Sequence, residues 1–240
     1  MITPVKIAFG KLVTQWQKQL FPDGKQVKEF SLRASEKAIS FADSRMVDDA
    51  EAMLDLWQKN KTDNAPSSSA RLPVVLIAIA RDFSSGNQYH NQISDYLPVV
   101  LPVDPKDRVF HLRTLGLSLR VQMAFIADND TTARALVAQW QNYISSHARR
   151  NMNAIYLFAG FSMPWGVSFE IPQNYASNIA IDAQNMCILT VDMTLNATVP
   201  MYEHPQDNEP NDGKGTNGNP NDPHGYPVVL VVNSTEFATL

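Results

Sequence analysis

Five histidines, His90, His111, His147, His204 and His224, are the side chains in this sequence best suited to proton transfer or metal binding. Zinc sites gather two to four His or Cys donors at short recurring spacings, and no two of these histidines, nor any of them with Cys187, stand at such a spacing. Asp128 and Asp130 resemble the paired carboxylates of acid–base chemistry. They stand just ahead of an apolar helical stripe, however, and read as helix caps. Between 207 and 222 the acidic residues Asp207, Glu209, Asp212 and Asp222 lie among glycines, which suggests calcium. Their spacing does not match an EF-hand loop, and the surrounding Asn and Pro fit a plain linker better. Gly160 and Gly166 are isolated, so no phosphate-cradling loop is present, and no Gly-x-Ser-x-Gly elbow occurs. Cys187 is the one cysteine and sits in an apolar run, so it can form no intrachain disulfide and reads as buried and inert. Trp16, Trp57, Trp140 and Trp165 read as core or interface anchors. No catalytic, cofactor-binding or metal-ligating residue is assigned.

The elements that would have to position any site are easier to read. Residues 113–147 organise the chain. Leu115, Leu117, Leu119, Val121, Met123 and Phe125 occupy every odd position over 115–125, the period of a long strand with one buried face. Asp128-Asn129-Asp130 then signals a turn and a helix cap. Ala133, Leu136, Val137, Trp140, Ile144 and His147 recur at helical spacing, with Arg149 and Arg150 at the end that the helix dipole favours for positive charge. Upstream, Phe9, Leu12, Val13, Trp16 and Leu20 predict a helix over 5–21, stopped by Pro22-Asp23-Gly24. One or two strands are expected within 25–42. A second amphipathic helix is expected over 44–59, with Met46, Ala50, Met53, Leu54 and Trp57 as its stripe, followed by a loop over 64–69. Residues 72–80 are nearly all apolar and β-branched, as in a strand buried on both faces, and the polar residues from Arg81 end it. Residues 96–103 carry Pro98 and Pro102, which restrict them to an edge strand or an extended connection. Downstream, 154–161 reads as a short buried strand, 165–171 alternates weakly, and 187–195 alternates cleanly until Pro200 closes it. The fold class expected is α/β (α+β): a mixed, mostly antiparallel sheet flanked by a few helices, one core domain over 1–202 with a C-terminal arm.

Composition agrees with a folded chain. At 240 residues and 44% hydrophobic content there is enough to bury a real core. A net charge of −4, from 20 basic and 24 acidic residues, gives no footprint for nucleic acid. No run approaches the ~18 apolar residues of a membrane span, and the start MITPVKIAFGKLV is too short for a secretion signal. The expectation is a protein made in the cytoplasm, with no membrane partner. The glycosylation patterns at Asn129 and Asn196 then read as chance.

The end of the chain changes character. Residues 203–225, EHPQDNEPNDGKGTNGNPNDPHG, hold no large apolar residue and read as a linker. An arm over 226–240 follows, in which Tyr226, Val228, Val229, Leu230, Val231 and Val232 form a strongly β-prone run. Such a run needs somewhere to bind, and these six residues are the candidate protein-interface residues.

Together these segments resemble the tail sheath stabiliser and tail completion (terminator-like) proteins of contractile-tailed bacteriophages. The resemblance covers roughly 5–200 and rests on order and spacing. It starts with the helix ending at Leu20-Phe21, followed by the charged region and the helix with Leu54 and Trp57. Next comes the Leu72-Pro73 lead-in to an apolar strand ending Ala80-Arg81-Asp82-Phe83. The long strand over 115–125 then leads into Thr131-x-Ala133-x-x-Leu136-Val137, and Phe169-Glu170-Ile171-Pro172 and the strand over 189–195 come last. The resemblance implies a homohexameric ring at the head-proximal end of the tail, contacting tail tube, sheath and neck proteins in the virion, with no enzymatic activity and no cofactor. Two other readings stand beside it. One is another neck, connector or baseplate component, or an adaptor outside any virion that grips a partner by a sheet edge. The other is an enzyme with a site built from scattered residues.

Overall fold

The Leu115–Phe125 alternation lies inside the longest strand of the structure. The computed structural model describes residues 2–42, 72–85, 95–104, 108–169, 176–179 and 186–205. The expected helix over 44–59, the linker beyond 205 and the arm with Tyr226 and Val228 to Val232 lie outside the described residues. Within them, helix α1 spans Thr3–Lys18, α2 Gly24–Leu32, α3 Ser35–Ala38, α4 Asp130–Ser145 and α5 His147–Arg150. Strand β1 spans Ile39–Ala42, β2 Val74–Ser85, β3 Leu97–Val100, β4 Val109–Ala127, β5 Asn151–Phe158, β6 Phe161–Phe169, β7 Ala176–Ile179 and β8 Cys187–Glu203. The sheet runs β1-β2-β4-β8-β6-β5, with β3 added to β4 and β7 to β8. β1 lies parallel to β2, while β2 and β3 against β4, and β6 and β7 against β8, are antiparallel. This is the mixed, mostly antiparallel sheet with a few helices that the sequence led us to expect.

The described residues cluster into two compact units. One draws on 2–42, 72–85, 116–157, 162–169, 176–179 and 186–199, the other on 95–104, 108–115, 158–161 and 200–205. The first holds the helices and the main core. Pro4 opens α1, where a missing N–H costs nothing. Val5, Phe9, Leu12, Val13 and Trp16 then form one buried stripe. Asn129 caps α4 by accepting the Thr132 N–H at 2.8 Å, and Ala133, Leu136, Val137, Trp140 and Ile144 are buried as expected. Both stripes meet on one face of β2 and β4. Trp16 stands edge-on to Phe125 (5.8 Å) and to Trp140 (5.5 Å), and Trp140 edge-on to Phe9 (6.2 Å). Each such pair adds about 0.5–1.5 kcal/mol beyond its buried area. On the same face Val75 pairs with Phe125, Ile77 with Met123 and Ile79 with Val121. The opposite face is apolar too: Val74, Leu76, Ala78, Ala124, Ile126 and Ile188 form a second buried cluster. The end of β4 is therefore buried on both faces, where the alternation alone indicated one.

Several expectations are corrected. Residues 25–42 are helices α2 and α3 followed by the short β1, and only the last four residues are strand. Val27 and Phe30, three apart, are the residues α2 buries, which is helical spacing. Gln17, buried on α1, fixes the junction by donating to the carbonyls of Phe30 (2.8 Å) and Arg33 (2.9 Å). Arg33 in turn donates to the carbonyls of Pro73 (2.8 Å) and Leu72 (3.3 Å) at the start of β2. Strand β2 does not end at Arg81. Pairing resumes at Phe83 opposite Leu119 after a shift in register, and the polar residues form its exposed end. Helix α4 stops at Ser145, Ser146 is extended, and His147 starts a separate turn, so it leaves the stripe that Tyr143 joins. Pro200 does not close β8, which continues to Glu203. The register with β6 covers Leu195 to Ala197, so the missing N–H falls beyond those ladder bonds. Strand β5 is not buried: Asn153, Ile155 and Leu157 face outward along it.

Candidate functional site

The chemistry-bearing residues do not converge. His111 is half-buried in β4, His147 and His204 are exposed, and His90 and His224 lie outside the described residues. No group of three His, Cys, Asp or Glu side chains suited to a metal occurs among the described residues. Asp128 and Asp130 flank the cap instead of providing it. Asp128 accepts from Gln26 Nε2, while Asp130 pairs with Arg134 Nε at 2.7 Å. Cys187 is half-buried, with Sγ 3.8 Å from Asp130 Oδ1. Burial, and then the Asp130 carboxylate, push its thiol pKa up, the opposite of what a nucleophilic cysteine needs. Trp16 and Trp140 are core residues and Trp165 is half-buried. A groove of about 470 Å³ between α1 and β1 is lined by Gly10, Thr14, Gln15 and Phe41. The Phe41 ring lies against Gly10, where an added Cβ would come within 3.2 Å of it.

The surface that stands out is the edge of the sheet at β5. This strand is last in the sheet order and is joined to β6 by the two-residue turn Ala159-Gly160. Both turn residues have positive φ, 50° and 85°. That is the type I′ geometry that matches strand twist, held here at an alanine at a cost of about 1–2 kcal/mol. Ala154 points inward and is fully buried, and Tyr156 is half-buried beside it. Burial pushes the Tyr156 hydroxyl up to about 12. Outward-facing Leu157 is 78% exposed and Ile155 44%. Natural sheets guard their edges with proline, charge or shortness. Of the other edge strands among the described residues, β3 carries Pro98, and β1 and β7 have four residues each. The sequence of β5, NMNAIYLF, has neither proline nor charge over eight residues.

Within the second unit, aromatic rings gather around Phe158. The rings of Phe158 and Tyr202 stack at 4.7 Å, and Phe110 meets Phe158 edge-on at 5.2 Å. His204 lies 5.0 Å from Phe158 and 5.4 Å from Phe110. The Arg108 guanidinium covers Phe110 at 5.1 Å and is held by the buried Asp104 carboxylate at 2.9 Å. A hydrogen bond to Glu203, then burial, raise the Tyr96 hydroxyl pKa. Tyr202, Glu203 and His204 are therefore held by these contacts. His204, expected to be solvated within the linker, is exposed at one face and packed at the other.

No family model matches the chain, and no curated protein matches it. Among solved structures the chain is similar to one in "Virion of native gene transfer agent (GTA) particle". The identity is 11% and the TM-score 0.30, and the match covers 81% of this chain and 98% of that one.

The interface residues expected in the arm, Tyr226 and Val228 to Val232, are outside the described residues, so the structure leaves them unplaced. Ile155 and Leu157 were missed as surface residues because the run Ala154 to Phe158 is apolar throughout. The asparagines at 151 and 153, in step with the exposed positions, were the available signal. What the arrangement can do chemically is offer backbone N–H and C=O groups, flanked by aliphatic side chains, to an added strand.

Proposed function

We propose that this chain is a structural protein of a contractile bacteriophage tail. Its copies form a closed homohexameric ring that ends and stabilises tube and sheath and joins the tail to the neck. The observation that carries the reading is the order of elements over the first 200 residues. Helix α1 ends just before Leu20-Phe21, Leu72-Pro73 leads into β2, β4 passes through the Asn129 cap into α4, and β8 follows. That order is the one on which the resemblance to tail completion proteins rests. In this reading 1–202 is the core, 203–225 the linker and 226–240 the arm. The partners are further copies of the chain and tail tube, sheath and neck proteins. The place of action is the virion, after synthesis in the bacterial cytoplasm, without catalysis or cofactor. No helix among the described residues is long and apolar enough to cross a membrane. A closed ring needs two different complementary surfaces on each copy, and an open edge such as β5 can serve as one.

The same edge supports a second reading, an adaptor that grips a partner strand outside any virion. Native mass spectrometry and negative-stain images of the purified chain separate the two. Six-fold rings support the tail protein. A chain monomeric at tens of micromolar, alone and with isolated tails, overturns it, and ligand-dependent melting of that monomer would favour an enzyme.

A further inference from the structure

We propose that the outer edge of β5 is the receptor for the C-terminal arm of a second copy of this chain, residues 226–232 adding as a strand beside Asn151–Phe158. This rests on the ring reading and names the contact that would close it. Three observations carry it. The first is the edge itself: eight residues without proline or charge, bearing the exposed Ile155 and Leu157. The second is the arm's sequence. Successive side chains of a strand alternate, so Val228, Leu230 and Val232 share one face and Val229 and Val231 the other. Both faces are apolar, the pattern of a strand made to be covered on both sides, and its seven residues fall one short of the eight of β5. The third is the packing of the last described residues. Tyr202 and His204 pack on Phe158, the last residue of β5, so the linker starts at the end of a strand of the same kind it must find on the next copy.

The linker length argues for exchange between copies. Its twenty residues from 206 to 225 reach about 66 Å fully extended, at ~3.3 Å per residue. Connections inside a compact fold have a median of about 4–6 residues, far fewer than these twenty. Among the described residues β5 is last in the sheet order, which leaves its outer edge open to a neighbour.

Two full-length-based variants test the contact. One deletes 226–240 and keeps the edge. The other carries Ile155→Lys and Leu157→Lys, exposed positions where charge guards the edge, and keeps the arm. Native mass spectrometry should show oligomers for the unaltered chain and none for either variant alone. Mixing the variants should restore a one-to-one complex, because one supplies the arm and the other the edge. Oligomers from either variant alone would leave the ring reading standing and overturn this contact. A lowered melting temperature for both variants with no complex on mixing would place the arm on its own sheet and overturn it equally. If the unaltered chain is monomeric, the ring reading fails, and a synthetic 226–240 peptide titrated onto the arm-deleted chain decides the contact. Binding that is lost with Ile155→Lys and Leu157→Lys supports it, and no binding overturns it.

Discussion

Trp140 is fully buried, with Trp16 and Phe9 edge-on to its ring and Tyr143 stacked 6.2 Å away. Truncating a large buried aromatic removes transfer energy and leaves a cavity that neighbours fill only in part, so Trp140→Ala should cost about 3–5 kcal/mol in urea unfolding. An unchanged midpoint would mean that the ring contributes nothing to the core. The indole N–H groups of Trp16 and Trp140 are buried without an acceptor among the described residues. Trp140→Phe, which removes one such donor along with part of the ring, should therefore cost less than the alanine change. Tyr156 gives a pH signature. Its hydroxyl holds its proton to about 12 in the folded chain, while an unfolded tyrosine ionises near pH ~10. Between those values the folded state binds more protons. The contribution is fully present below about pH 10 and is lost as pH rises through about 12. Melting curves across that window should slope less for Tyr156→Phe than for the unaltered chain, and identical slopes would refute the assignment.

Elements are joined here by polar side chains that no periodicity announces. Gln26 on α2 donates to Asp128, and its Oε1 accepts from Asn129 Nδ2 (2.9 Å) and from the Thr132 hydroxyl. One glutamine therefore ties α2 to the capped start of α4. Losing the cap in Asn129→Ala should cost about 0.5–2 kcal/mol. Gln26→Ala, which strands two or more polar groups, should cost about 1–3 kcal/mol. Because they share one network, the double variant should lose less than the sum, with a coupling of about 0.5–3 kcal/mol in a double-mutant cycle. Strict additivity would show that the network is not a unit. The contrast with β4 and α4 explains what the sequence could reveal. Their periods of 2 and 3.6 run for many residues, and burial follows them from Leu117 to Phe125 and from Ala133 to Ile144. In α2 Val27 and Phe30 point inward, but Leu32 is exposed among charges, so the local pattern favoured a strand. The apolar run in β5 looked buried because nothing local states that a strand will be last in its sheet. That follows from how β6 and β8 order themselves, and with it the open edge was hidden from the sequence.

A net charge of only −4 gives no strong field to hold copies apart or together, so a ring would be held by strand addition and packing at edges. Any such contact binds the folded state alone and must stabilise it by mass action. At a subunit concentration about a hundredfold above the dissociation constant the gain is about 2.7 kcal/mol. For a chain of this size, where 1 kcal/mol moves the melting temperature by about 2–4 °C, that corresponds to roughly 5–10 °C. The full chain should therefore melt at rising temperature over a dilution series from nanomolar to tens of micromolar. The chain lacking 226–240 should melt at one temperature throughout, equal to the dilute limit of the full chain, because its core keeps the Trp16–Trp140–Phe125 cluster intact. Differential scanning fluorimetry at the upper end and fluorescence-detected melting at the lower end cover the range. A full chain whose melting temperature ignores concentration while its mass remains that of a monomer would sink the ring. A deleted chain that melts well below the dilute limit would show that the arm is part of its own fold.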